Sequence, residues 1–126
     1  YVDLVQAIER PQFGVHFDPV NLISSPQRYY NNTELITDFV EKLGPQIKSC
    51  HAKDIFLQDQ LTVHLNEVRP GQGALDYPAF LQAIAALPED VPVMLEHLSS
   101  AEEYAEAAAF IRETAADAKL EFNFTA

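Results

Sequence analysis

Hydrophobic and polar residues along the chain follow two alternating periodicities, and each predicts a type of element. Short β-favouring runs predict buried strands over 13–18, 47–54 and 92–96. Apolar residues at every third or fourth position predict helices over 34–43, after Asp76 and after Ser100, with a helix end over 1–9. Because tight turns cannot join parallel neighbours, the repeated strand–helix order predicts a parallel sheet with crossover helices. We therefore expect an α/β protein, either an open doubly wound sheet or an arc of a (β/α)8 barrel.

Residues that favour helix starts mark some of the boundaries. Asn32 or Thr33 is expected to cap the first complete helix. Ser100 and Glu103 form a capping box, which predicts the start of the last helix. The long connection between the second and third strands is expected to hold a short extra strand over 61–65.

Composition and charge place this pattern in a single domain over residues 1–126. The chain is 48% apolar, which allows one sizeable core, but it is too short for two ordinary domains. Its 8 basic and 19 acidic residues give a net charge of −11, which disfavours nucleic acid and anionic lipid as partners. Its apolar runs fall short of the roughly 20 residues that span a membrane. Cys50 is the only cysteine, so we expect no internal disulfide and a reducing, cytoplasmic compartment.

Polar residues stand at the carboxyl ends of all three predicted strands. Asp18 ends the first strand, His51 lies near the end of the second, and Glu96 ends the third. In parallel α/β folds these ends form the floor of the active site, so the three side chains are expected to converge. One imidazole and two carboxylates suit Mn²⁺, Mg²⁺, Co²⁺ or Zn²⁺ and leave positions open for substrate oxygens. The pattern therefore indicates a divalent-metal site.

Four motifs, in this order, resemble the later half of the xylose isomerase-like TIM barrels. They are His16-Phe17-Asp18-Pro19-Val20-Asn21, His51-Ala52-Lys53-Asp54, Glu67-Val68-Arg69-Pro70-Gly71-Gln72-Gly73 and Met94-Leu95-Glu96-His97. More narrowly, they are similar to the sugar phosphate isomerase/epimerase group over about residues 10–117. The resemblance implies a partial (β/α)8 barrel with about three βα units of the C-terminal half. The glycines beside the proline in the third motif also predict a fixed loop over 69–73.

The resemblance implies a role for each residue of the predicted site. Asp18, His51 and Glu96 would bind the metal. Glu96 would also be the catalytic base that moves a proton between sugar carbons through an enediolate. Arg69 would reach a substrate hydroxyl or phosphate. Asn21 stands where sugar epimerases commonly carry a substrate-contacting His, and an amide can hydrogen bond but cannot titrate near neutral pH.

Two further residues are candidates for substrate binding, and each has a plainer alternative. Lys53 is expected on the same side as His51, where it could neutralise an anionic oxygen, but it could also form a surface ion pair with Asp54 or Glu67. His16 is expected behind Asp18, as a buried polar residue or a partner of the ligands. The remaining histidines, at positions 64 and 97, are expected in loops or pointing outward.

Three functions remain open on the sequence. The first is a metal-dependent sugar or sugar phosphate isomerase or epimerase, incomplete in this chain because such barrels have roughly 250 residues and draw a first Glu ligand from earlier strands. The second is a related abasic-site endonuclease, which the charge of −11 and the presence of only 4 histidines disfavour. The third is a non-catalytic truncated half-barrel. Since a half-barrel exposes sheet edges, we expect a homodimer or a missing N-terminal half as partner, besides a small sugar.

Overall fold

The computed structural model describes residues 1–124, in which helices and strands alternate. The helices are α1 Val2–Ile8, α2 Pro19–Leu22, α3 Pro26–Tyr30, α4 Asn32–Leu43, α5 Tyr77–Ala85 and α6 Ala101–Asp117, with a 3-10 turn over Gly44–Gln46. The strands are β1 Val15–Phe17, β2 Ile47–His51, β3 Asp54–Leu57, β4 Leu65–Val68 and β5 Val93–Met94. Within this part of the chain, no helix is both long and apolar enough to cross a membrane.

Strands β1, β2 and β5 form a parallel sheet in the order β1-β2-β5. Helices α2 to α4 connect β1 to β2, α5 precedes β5, and α6 follows it. The register pairs Phe17 with Cys50 and His51 with Met94. The predicted α/β fold with parallel strands is therefore confirmed, and in residues 1–124 the strands form an open arc and not a closed barrel.

One face of this sheet packs against helices, and the other carries polar side chains. In β1, Val15 and Phe17 are buried while His16 between them is exposed. Phe17 stacks on Phe39 of α4 with ring centroids 4.5 Å apart, and its ring lies 5.9 Å from that of Phe80 on α5. Burial of large aromatic side chains supplies much of the apolar stabilisation of a small core. This packing fixes the face on which the polar residues of the strands lie.

A register shift between β1 and β2 adjusts the second strand to this core. Val15 pairs with Ile47, but the next residue of β1 pairs with Ser49, so β2 holds one extra residue at that point. As a result both Ile47 and Cys50 are buried. Burial raises the pKa of the Cys50 thiol to about 12, and the thiol is an inert part of the core.

Helix starts follow the sequence signals with one correction. Ser100 accepts a hydrogen bond from the backbone N–H of Glu103, so the predicted start of α6 is confirmed. Helix α4, however, has Asn31 at its N-cap position, without a capping hydrogen bond from the side chain, and the prediction of Asn32 or Thr33 is wrong. The side chain of Asn32 is buried and bonded to backbone groups of the segments before α4 and α5. Because these tertiary bonds occupy its amide, Asn32 lies inside the first turn.

The connection after β2 contains a β-hairpin. Strands β3 and β4 pair antiparallel, with Asp54 opposite Val68 at one end. The second strand was expected to continue to residue 54, but β2 ends earlier and the chain turns into the hairpin. The extra strand expected over 61–65 is also misplaced, because β4 starts only at the last of these residues. The residues before it have no core to pack against, and Leu61 is 99% exposed.

Asp54 fixes the loop that joins the hairpin to α5. Its buried carboxylate accepts four backbone hydrogen bonds of 2.8 to 3.0 Å. The donors are the N–H groups of Ile55, Gly71, Gly73 and Leu75. A Cβ atom at Gly73 would collide with this carboxylate, and Gly71 has a φ of +90° with the Phe110 ring against it. The loop predicted over 69–73 is thus held at both glycines.

Candidate metal centre

The three strand-end residues lie together at the carboxyl edge of the parallel sheet. Asp18 directly follows β1, His51 is the last residue of β2, and Glu96 lies just beyond β5. His51 Nδ1 is 2.8 Å from Glu96 Oε1 and 3.5 Å from Asp18 Oδ2. One possible ligand atom from each residue lies within 4.8 Å of the other two. The predicted convergence is therefore present, and the role of these residues as metal ligands stays a prediction.

Asp18 is oriented by the helix that it starts. Asp18 is the N-cap of α2, and its Oδ1 accepts the backbone N–H of Asn21 at 3.2 Å. The side-chain amide of Asn21 donates to Asp18 Oδ2 at 2.9 Å. Since hydrogen bonds to an ionised carboxylate are among the stronger ones, the pair limits the rotation of Asp18. Asn21 thus positions a candidate ligand, and its contact with substrate stays a prediction.

His16 packs against His51 on the polar face of the sheet. Their ring centroids are 4.0 Å apart with an interplanar angle of 78°, and His16 Nδ1 lies 2.6 Å from Ser49 Oγ. Partial burial, followed by the nearby His51, lowers the pKa of His16, so its ring is neutral at neutral pH. The His16 side chain is exposed, so the expectation of a buried polar residue is wrong, and the ring supports the orientation of His51. A contact of His16 with substrate stays a prediction.

Lys53 occupies the centre of the cluster, with a side chain only 3% exposed. Its Nζ lies 3.2 Å from Asp18 Oδ2, 3.2 Å from Glu67 Oε2 and 2.5 Å from Glu96 Oε1. The alternative of an ion pair with Glu67 is confirmed, but its surface location is wrong because Lys53 is buried. Asp54 is not the partner, since its carboxylate is bonded to backbone N–H groups. An ammonium has three donors, and three carboxylates meet them here.

These contacts keep the ion pairs charged at neutral pH. Burial alone would lower the pKa of Lys53, but hydrogen bonds to Glu96, Asp18 and Glu67 raise it above its ordinary value. In return, the hydrogen bond from Lys53 is the main cause that lowers the pKa of Glu96. Glu96 is therefore a carboxylate at neutral pH.

Glu67 and His97 also belong to the cluster, Glu67 as a partner of Lys53 that the sequence had suggested and His97 as a residue expected elsewhere. His97 Nδ1 lies 3.0 Å from Glu67 Oε1, and its Nε2 lies 3.5 Å from Glu96 Oε2. His97 has a φ of 60°, and this left-handed backbone turns its ring back towards the site. His97 lies in a loop, as expected, and its side chain is 62% exposed, but its ring contacts the cluster and does not point away from it. The only sequence signal was its place directly after Glu96, which gives no side-chain direction.

Arg69 lies against α6. Its Nη2 is 3.0 Å from Glu106 Oε2, and its side chain is 18% exposed. This ion pair holds the Arg69 side chain against α6. The proposed contact of Arg69 with a substrate hydroxyl or phosphate stays a prediction.

The donor set fits a divalent cation. It offers carboxylate oxygens and one imidazole nitrogen, which Mn²⁺, Mg²⁺, Co²⁺ and Zn²⁺ accept. With Asp18, Glu67 and Glu96 as carboxylates and Lys53 as the one ammonium, their usual charges leave an excess of two negative charges. A divalent cation would balance this excess. A cavity of about 190 Å³, lined by Asp18, Asn21 and His16 among others, adjoins the cluster.

Comparison with known proteins agrees with this geometry. A sequence model of the family described as the xylose isomerase-like TIM barrel matches residues 1–114. The chain belongs to this family. The match begins at residue 1 and so includes α1, which precedes the motifs recognised in the sequence. Xylose isomerase-like TIM barrels include sugar isomerases and epimerases as well as endonuclease-like enzymes.

A solved structure supports the same fold. The xylose isomerase domain protein from Planctomyces limnophilus superposes with a TM-score of 0.69 and 19% sequence identity. The similarity covers 94% of this chain and 41% of that one, so this chain spans less than half of the other protein's length. No curated protein matches the chain in sequence. The predicted partial xylose isomerase-like barrel is therefore confirmed as a fold.

Proposed function

We propose that the chain carries metal-binding and proton-transfer residues of a divalent-metal-dependent sugar or sugar phosphate isomerase or epimerase. One observation carries the proposal. Asp18, His51 and Glu96 converge at the carboxyl ends of three neighbouring parallel strands, where TIM barrels have their active sites. Membership of a family that includes such enzymes agrees with it.

In this proposal Asp18, His51 and Glu96 hold the cation. The bound cation supplies Lewis acidity, which polarises the carbonyl and the adjacent hydroxyl of a sugar. Asn21 keeps the Asp18 carboxylate oriented towards the cluster, and His16 supports the ring of His51. These contacts prepare the donor set before substrate binds, as precise ligand geometry requires.

Glu96 is the proposed proton acceptor. Glu96 is ionised at neutral pH, so its carboxylate is free to take a proton from a sugar carbon. Its Oε1 already faces His51 and Lys53, so Oε2 is the oxygen proposed to accept the proton. The Lys53 ammonium lies beside it and would stabilise negative charge that develops on a substrate oxygen. Arg69 enters the proposal as a contact for a substrate hydroxyl or phosphate.

Turnover needs residues beyond those described. A TIM barrel closes with eight strands, whereas residues 1–124 provide three parallel ones. We propose that the remaining strands come from an N-terminal half, with a second copy of the chain as the other possible partner. The 126-residue chain is expected to bind metal without turning over sugar. A cytoplasmic location is proposed as well, since its one cysteine is a reduced, buried thiol.

An endonuclease function is less well supported. Enzymes that bind nucleic acid contact phosphates through Lys and Arg, and this chain has 8 of these residues against 19 acidic ones. The cluster at the strand ends itself carries an excess of negative charge. A sugar or sugar phosphate is therefore the preferred substrate class.

Calorimetric titration of the protein with Mn²⁺ tests the proposal. Wild type is expected to bind with a Kd of about 1 μM, equivalent to about −8 kcal/mol. His51→Ala should remove the binding because it deletes the one nitrogen ligand. His64→Ala is the matched control, since His64 is exposed and lies in the hairpin loop. Retained Mn²⁺ binding in His51→Ala, or loss in both variants, would contradict the assigned site.

A further inference from the structure

The Lys53 ammonium bonds to the same carboxylate oxygens that face His51. Asp18 Oδ2 and Glu96 Oε1 are the oxygens paired with His51 Nδ1, and both also lie within ion-pair distance of Lys53 Nζ. A cation among the three candidate ligands would share these two oxygens with the ammonium. Because two positive charges a few ångströms apart repel each other, they compete for the carboxylates.

Glu67 offers the ammonium a different partner. Its Oε2 lies 3.2 Å from Lys53 Nζ, and Glu67 is outside the group of three residues whose ligand atoms converge. Glu67 belongs to β4, so its carboxylate comes from the hairpin and not from the parallel sheet. Its other oxygen is 3.0 Å from His97 Nδ1, which keeps the carboxylate beside the cluster.

We propose that Lys53 is an internal counter-cation of the metal centre. It holds Asp18 and Glu96 together when no metal is bound, and it moves towards Glu67 when a divalent cation enters. This inference rests on the proposed metal site. It predicts two opposite effects of Lys53: the lysine stabilises the metal-free fold, and it lowers the affinity for metal. A lysine with a purely structural role would affect stability alone.

The test compares Mn²⁺ affinity with metal-free stability in one set of variants. Lys53→Met removes the ammonium and keeps most of the side-chain volume. We expect its Kd for Mn²⁺ to fall at least about tenfold, while its Tm in chelator falls by several degrees. Lys48→Met is the matched control on β2, where Lys48 pairs with exposed Glu89 at 2.7 Å. It should change the Mn²⁺ affinity by less than about twofold because of solvent screening.

Glu67→Gln tests the alternative partner directly. Without the Glu67 carboxylate, the ammonium stays on Asp18 and Glu96, so Mn²⁺ should bind more weakly. When Glu67→Gln is added to Lys53→Met, it should weaken Mn²⁺ binding less than it does in wild type. Without the ammonium, the substitution removes only a nearby negative charge. Equal effects in the two backgrounds would overturn the proposed movement of Lys53. If Lys53→Met does not fold, Lys53→Gln replaces it with the same expected direction, since an amide can still donate to the carboxylates.

The outcomes separate this inference from the proposed function. If wild type binds Mn²⁺ and Lys53→Met binds it equally or more weakly, the role of Lys53 is overturned and the metal site stands. If Lys53→Met binds Mn²⁺ and wild type does not, the result supports competition between the Lys53 ammonium and the metal. If neither protein binds Mn²⁺, the metal site and the role of Lys53 are both overturned.

Discussion

Replacement of Asp54 by Asn should destabilise the chain far more than an ordinary loss of charge. The Asp54 carboxylate accepts four backbone N–H bonds in a buried position. An Asn side chain has one acceptor oxygen, so two of the four N–H groups would face the NH₂ group and lose their partners. Each unpaired buried N–H costs about 1–3 kcal/mol, which gives a loss of about 2–6 kcal/mol. This is a large part of the stability of an ordinary domain.

Urea unfolding followed by circular dichroism measures this loss. Asp59→Asn is the matched control, because Asp59 is exposed in the hairpin loop and loses the same charge. The control should stay within about 0.5 kcal/mol of wild type. Hydrogen exchange gives a local readout, since all four amides should exchange slowly in wild type, and the pair that faces the NH₂ group, Gly71 and Gly73 or Ile55 and Leu75, should exchange rapidly in Asp54→Asn. Equal stability of the two variants, or unprotected glycine amides in wild type, would refute the reasoning.

Three further predictions concern packing and charge. Gly73→Ala should lower the free energy of unfolding, measured in urea, by about 2 kcal/mol or more, because its Cβ would meet backbone atoms. In Gly44→Ala the new Cβ meets only side chains, so the loss should be less than about 1 kcal/mol. Similar losses in the two variants would contradict the close approach at Gly73. Cys50 is buried and the pKa of its thiol is raised to about 12. A thiol reagent at about pH 8 should therefore label Cys50 only as fast as the protein unfolds, and faster labelling would show that the thiol is accessible in the folded protein. The fold lowers the pKa of Glu96 below its ordinary value of 4.5. The ion pair with Lys53 therefore stabilises the protein above pH 4.5, and this stabilisation is lost as the pH falls through the pKa of Glu96 in the folded protein. The difference in urea midpoint between wild type and Glu96→Gln should therefore narrow from about pH 7 to about pH 3, and a constant difference would contradict this ion pair.

The part of the site built on the sheet could be predicted from the sequence. Parallel topology brings the carboxyl ends of strands to one edge, so Asp18, His51 and Glu96 needed only the correct strand order to be brought together. The alternation of side chains along β1 also gave the correct faces to Val15 and Phe17. The period of side chains along a strand and the order of the strands determine these positions, and both can be read from a single sequence.

The part of the site outside the sheet could not be predicted in the same way. Lysine is among the residues least often buried, so the sequence left a surface ion pair open for Lys53, and its burial depends on three carboxylates from separate elements. Glu67 reaches the cluster only because the hairpin pairs Asp54 with Val68, and the connecting loop has no short turn motif that would reveal this pairing. The direction of His97 depends on one left-handed residue, which is rare outside glycine.

The ion pairs of Lys53 connect parts of the chain that are distant in sequence, namely the segment after β1, the hairpin and the segment after β5. Contacts of this kind form only after large loops have closed, so they are slow to appear in folding. The charged cluster should then assemble in the last stage of folding, after the local helices. A divalent cation that uses this cluster would recognise the native chain and have little affinity for partly folded forms.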